Sequence, residues 1–165
     1  MRTRIGDIAR ISLDARTIMY SKLLMFRKCI NPVSVWPWWV HVQHHPRDAR
    51  YCRTIMRLMV GEHELRSNGR QASRLCQLCD HYVVEDVPHM LFVCPSLHNE
   101  RKLIWQCVKD AVPFNMLHEM YDMLPYNLTV FWFSGFKCSY VSEWCDLYKC
   151  VCYSIHTMYN KRLLL

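Results

Sequence analysis

Glycine is scarce in this chain, with 4 among 165 residues, and none sits in a Gly-rich loop of the kind that cradles a phosphate. That scarcity excludes nucleotide sites built on bare backbone amides. No adjacent pair of aspartates is present to hold two magnesium ions for nucleotidyl transfer, and no Ser-centred nucleophile elbow occurs. The acidic residues are scattered, so no enzyme is expected. No apolar run reaches the roughly 18 residues of a membrane span. The strongly apolar stretch from Leu128 to Phe133 is interrupted by Ser134 and Gly135. Met1-Arg2-Thr3-Arg4 is not followed by the continuous apolar segment of a signal peptide. The expected setting is intracellular, nuclear or cytoplasmic, with no membrane partner. Neither an internal repeat nor a low-complexity tract is found.

Cysteine and histidine are abundant instead, at 10 and 9 residues. Four of them fall in one order, Cys76-x2-Cys79-x9-His89-x4-Cys94. Three thiolates and one imidazole suit the tetrahedral preference of Zn(II) and leave no position open for water. A structural zinc site is therefore expected at Cys76, Cys79, His89 and Cys94. Asp86 is placed to cap a short helix at Val87-Pro88, where the missing proline N–H costs nothing. His89 and Cys94 lie about 140° apart on an ideal helix. Cys94 must leave helical geometry to share an ion with His89, and Pro95 supplies the reason, since it drives the preceding residue out of the α region. His81 is a rival ligand, but a Cys79-x-His81 chelate would strain the turn. A redox Cys-x2-Cys would need a βαβ setting that the sequence lacks. Most of the other cysteines, Cys29, Cys52, Cys107, Cys138, Cys145, Cys150 and Cys152, are read as small core hydrophobes in a reducing compartment.

The chain is long enough for one domain or two small ones with a real core, and its net charge of +7 favours a polyanionic partner. Apolar residues at helical spacing predict a helix over residues 7–30, which Asn31-Pro32 ends. Trp36, Trp38 and Trp39 beside His41, His44 and His45 read as an aromatic loop packed on the core. Base stacking by the indoles and metal binding by the histidines are the competing readings. Over residues 47–60 Tyr51, Ile55, Leu58 and Met59 line one helix face, while Arg47, Arg50, Arg53 and Arg57 fall within about 120° on the other. Gly61 is a natural stop. The arginine face suits phosphate contact, with a plain solvated face as the equal alternative; Arg66, Arg70, Arg74, Arg101 and Lys102 extend it. Leu97, Arg101, Ile104, Trp105, Val108 and Val112 predict an amphipathic helix over residues 96–112. A short helix capped by Asn115 should run to Leu124 and be closed by Pro125. For Leu128 to Phe133, strand and buried helix cannot be separated by periodicity. Val141, Trp144, Tyr148, Val151, Ile155 and Met158 predict a last helix over residues 139–161, packed within the molecule.

These readings give a mainly α fold, a small helical domain with an embedded Cys3His zinc-binding turn and room for a short β-hairpin at the metal segment. Residues 1–46 form an N-terminal helix and aromatic loop, 47–112 the basic helix and zinc segment, and 113–165 a helical tail. The run Gly69-Arg70, Arg74 to Cys79, Val84-Glu85-Asp86, His89 to Pro95 and Arg101 resembles the cysteine-rich C-terminal segment of non-LTR (LINE-type) retrotransposon reverse transcriptases. The resemblance is carried by about a fifth of the chain. It implies a non-catalytic, zinc-binding tail that contacts RNA or DNA, here as a detached fragment, because the polymerase palm with its catalytic aspartates is missing. Residues 1–46 would then be a remnant of the connection to the polymerase thumb, and a polymerase domain a missing partner. The alternative is a structural or protein-interaction domain in which zinc only stabilises the fold. Oligomeric state is left open.

Overall fold

The predicted C-terminal helix becomes the element on which two other long helices pack. The computed structural model describes residues 24–30, 35–62, 65, 74–79, 81–136 and 144–164. Among them are seven α-helices: α1 (Leu24–Cys29), α2 (Pro37–His44), α3 (Ala49–Met59), α4 (His98–Ala111), α5 (Phe114–Tyr121), α6 (Pro125–Phe133) and α7 (Cys145–Leu163). The chain is mainly helical, and no sheet occurs among the described residues. Helix α7 lies between α3 and α4, and α1 packs on α6 and α3. Tyr148, Val151, Ile155 and Met158 of the expected seam are fully buried, and Trp144 is half-buried. Cys152 and Tyr159 widen the stripe, so α7 is apolar on two flanks, as a central helix must be. A disulfide between Cys107 and Cys150 ties α4 to α7, where reduced core thiols were expected. Cys29, Cys52 and Cys152 do behave as buried core thiols.

Helix α3 buries the predicted face, with Ile55, Leu58 and Met59 inside and Tyr51 half-buried against Tyr153 and His156 of α7. Gly61 ends it at φ 73°, and the Glu62 N–H bonds back to the Arg57 carbonyl at 2.9 Å, which completes a Schellman cap. The predicted amphipathic helix begins as a 3-10 turn at Pro95–Leu97 and continues as α4. Leu97, Ile104, Val108 and Val112 are buried along it.

Two expectations are corrected. The aromatic loop is helix α2, opened by Pro37 in its first turn. Trp36 and Trp38 bury as expected, with their indole N–H groups donated to the carbonyls of Phe133 (2.8 Å) and Trp132 (3.1 Å), while Trp39 is exposed. Pro125 opens α6 rather than only closing α5, which starts at Phe114 after Pro113 and ends at Tyr121. The ambiguous apolar run is α6, a helix of nine residues, too short to stand alone in water. Burial of Leu128, Phe131, Trp132 and Phe133 holds it, each such side chain contributing about 1.5–3 kcal/mol. Gly135 (φ 80°) and Phe136 (φ 58°) close it with a second Schellman cap. A Cβ on Gly135 would lie 2.6 Å from the Pro37 Cβ and 2.9 Å from the Tyr148 hydroxyl, so α2, α6 and α7 meet where only glycine fits. Of the predicted first helix, only α1 falls among the described residues. No described helix is long and apolar enough to cross a membrane.

Candidate metal centre

The four expected ligands converge. One donor atom each from Cys76, Cys79, His89 and Cys94 lies within 4.8 Å of every other. Cys76 Sγ is 4.0 Å from Cys94 Sγ, and Cys79 Sγ is 3.5 Å from His89 Nε2. A tetrahedral ion with bonds of about 2.3 Å to sulfur and 2.0–2.1 Å to nitrogen would separate two sulfurs by roughly 3.8 Å, and sulfur from nitrogen by roughly 3.6 Å. The donor set thus fits one metal ion with little movement. All four residues are buried. His81, the rival ligand, is exposed and outside the cluster.

Local chemistry explains the convergence. Residues 74–76 pair with 83–85 in a hairpin that has one antiparallel bridge, Leu75 to Val84, and bonds from Cys76 N–H to the Val83 carbonyl and Glu85 N–H to the Arg74 carbonyl. That is the expected hairpin reduced to its minimum. The Ser96 hydroxyl donates to the Leu78 carbonyl, which ties the Cys76–Cys79 knuckle to the far side of the site. Asp86 caps as expected, its carboxylate accepting the His89 N–H at 2.8 Å.

The 140° problem is solved by a wider turn. His89–Val93 is a π-helical turn, and the Cys94 N–H bonds to the His89 carbonyl at 2.7 Å. An i→i+5 turn holds more residues than an α turn, so the fifth residue returns toward the side of the first. Cys94 then leaves for extended backbone (φ −57°, ψ 117°) before Pro95. Pro95 cannot supply the N–H that the Leu91 carbonyl would receive in an α-helix. Arg101 supplies it instead: its Nε donates to the Leu91 carbonyl at 2.8 Å and its Nη2 to the Cys94 carbonyl at 2.6 Å. Arg101 is thereby committed to the backbone of the metal segment.

The electrostatics show what the site needs. Burial raises the Cys76 thiol to about 12 and also pushes the Cys94 thiol up, while burial holds His89 below its usual range. Near neutral pH both thiols are protonated and the imidazole is neutral, so a divalent cation must displace at least two protons to bind. Apparent affinity should therefore fall by about a hundredfold for each unit of acidification near neutrality. Calorimetric titration of Zn(II) in buffers of different ionisation enthalpy would count those protons, and a count near zero would contradict the assignment.

The arginines fall into three groups. Arg47, Arg50, Arg53 and Arg57 are exposed, and Arg74 is exposed on the hairpin. None of these five forms an ion pair among the described residues. Arg50 lies on the Tyr51 ring, and Arg57 donates to the Glu62 carbonyl. Arg66 and Arg70 fall outside the described residues, and Arg101 is committed as above. Asp48, in the 3-10 turn that precedes α3, is buried and bonded to His41. Sequence reasoning also missed Glu85 and Arg162, a buried ion pair that joins the hairpin to the end of α7. Sequence separation hid that pair. Comparison with protein-family models, with curated proteins and with solved structures finds no match for this chain.

Proposed function

We propose that this chain is a non-catalytic, zinc-held helical module that binds nucleic acid through phosphate contacts. Zinc is the reading for the metal because three buried thiolates and one imidazole close a tetrahedral shell, the donor set zinc takes in structural sites. The observation that carries the nucleic-acid reading is the outer face of α3. Arg50, Arg53 and Arg57 stand exposed there and Arg47 on the 3-10 turn just before it, all without a carboxylate partner among the described residues, and Arg74 adds a fifth near the metal. A merely solvated helix usually interleaves both signs of charge. Tyr82, on the hairpin and 81% exposed, offers a face on which an unpaired base can stack. The resemblance to the cysteine-rich tail of non-LTR reverse transcriptases supports the same reading and favours RNA or DNA handled during reverse transcription.

Affinity should be weakly sequence-dependent and steeply salt-dependent. Each phosphate contact contributes a log–log slope of about 0.7–0.9, so replacing Arg47, Arg50, Arg53 and Arg57 with glutamine should flatten the slope by about three units. Fluorescence anisotropy with labelled single- and double-stranded RNA and DNA across a salt series tests this, and an unchanged slope removes α3 from the interface.

A second reading, a protein-interaction domain stabilised by zinc, draws on Phe114 (81% exposed), Leu124 (70%) and Tyr121 (56%) on or beside α5. Gel filtration separates the two. A chain that ignores nucleic acid but self-associates through α5 favours the second.

A further inference from the structure

We propose that His41, His45 and Cys145 form a second metal site, an open one, in which Asp48 orients His41 and the fourth position is left to water or an exogenous donor. The site is independent of the nucleic-acid reading and of the Cys3His centre. One ring nitrogen from each histidine and the Cys145 sulfur lie within 4.8 Å of one another, and His45 Nε2 is 3.2 Å from Cys145 Sγ. His41 lies in the last turn of α2 and His45 caps that helix, its N–H bonded to the His41 carbonyl at 2.8 Å, which brings the two residues together. Their rings stack at 4.8 Å, and His41 also stacks on Tyr148 at 5.7 Å, which limits its rotation. Cys145 is the first residue of α7 and comes to them from 100 residues away.

The second observation concerns His41 alone. It is 1% exposed, its Nε2 is 3.0 Å from the Asp48 carboxylate, and its Nδ1 is buried with no hydrogen-bond partner among the described residues. A buried acceptor left unpaired is rare and needs an explanation. A metal ion bound at Nδ1 supplies one. The Asp48 contact is then the carboxylate partner that metal-binding histidines characteristically have on their other nitrogen, fixing tautomer and ring orientation. Two imidazoles and one thiolate suit a borderline divalent ion such as zinc, and three protein ligands leave one coordination position unfilled. Asp48 also lines a cleft of about 430 Å³ with Tyr51, Asp146, Lys149 and Tyr153, and Asp146 adjoins Cys145. His45 is exposed, so the site has solvent beside it, unlike the buried Cys3His centre.

The test is metal stoichiometry on the full chain prepared anaerobically and titrated with Zn(II). Native mass spectrometry should find two ions per chain, falling to one in His45→Ala and in Cys145→Ser while the helical circular dichroism is unchanged. One ion in the parent chain, or two in all three proteins, overturns the proposal. If the variants fold poorly, cadmium NMR on the parent decides. Two resonances are expected, one shifted as for three sulfurs and one as for a single sulfur. The three-sulfur resonance alone removes the second site, whereas the one-sulfur resonance alone sinks the structural zinc centre instead.

Discussion

Cys94→Ser should unfold the metal segment and cost about 5 kcal/mol or more, comparable with the whole stability of an ordinary domain. Serine can keep the backbone that Cys94 provides. The N–H can still close the π turn on the His89 carbonyl, and the carbonyl can still accept from Arg101. What is lost is one of the four donors that could hold an ion. Structural zinc supplies roughly 10–16 kcal/mol of apparent binding free energy in finger peptides, and a large share of that vanishes with a ligand. Residues 74–86 cannot replace it, because Leu75, Val83 and Val84 are exposed and the hairpin has a single bridge. Met90 and Leu91, by contrast, are buried in the core, so the damage should spread from the metal into α6 and α7. Thermal melts followed by circular dichroism, with and without a chelator, are the measurement. The parent should lose stability on chelation, and the variant should start low and respond little. A variant that melts with the parent and stays chelator-sensitive would show that the ion is held elsewhere.

Arg162→Leu should cost about 3–5 kcal/mol, a large effect for the next-to-last residue of α7. Its guanidinium is bidentate on Glu85, with Nη2 2.8 Å from Oε2, and the side chains are 11% and 2% exposed. Removal of the arginine takes a bidentate cation from a buried carboxylate, and that penalty dominates the outcome. Pairing with Glu85 also holds the Arg162 guanidinium above its ordinary range. Glu85 Oε1 lies 4.0 Å from Cys76 Sγ, so loss of the Arg162 charge would in addition oppose a thiolate there and weaken metal binding. The double variant Glu85→Leu/Arg162→Leu should recover most of the loss. Chemical denaturation of the single and double variants tests this. A single-variant loss below about 1 kcal/mol would make the pair equivalent to an ordinary surface contact.

The Cys3His cluster was legible because its four residues lie within nineteen consecutive positions, in a spacing typical of metal-binding segments. The need for Cys94 to leave the helix was legible from Pro95, but the π turn was not, since it depends on Arg101 replacing the amide that Pro95 lacks. The helical faces of α3, α4 and α7 followed from periodicity. Helix α6 did not, because a run buried on all sides carries no period. Helix α2, expected as a loop, is a helix of eight residues that Pro37 opens, and Pro46 begins the next turn. Of the second cluster only the histidines could be seen. Its sulfur and the Glu85–Arg162 pair are separated from their partners by 100 and 77 residues, and no local pattern reports contacts of that range.

Trp36 and Trp38 give their N–H groups to carbonyls at the end of α6, 97 and 94 residues later in the chain. During synthesis those acceptors do not exist until most of the polypeptide has been made. The two indoles must stay unsatisfied and greasy through that interval, and closing so long a loop is slow. The segment that carries Trp36 and Trp38 is thus a latecomer to these contacts, and a nascent chain arrested before residue 133 would display both indoles to whatever chaperone or neighbour is at hand.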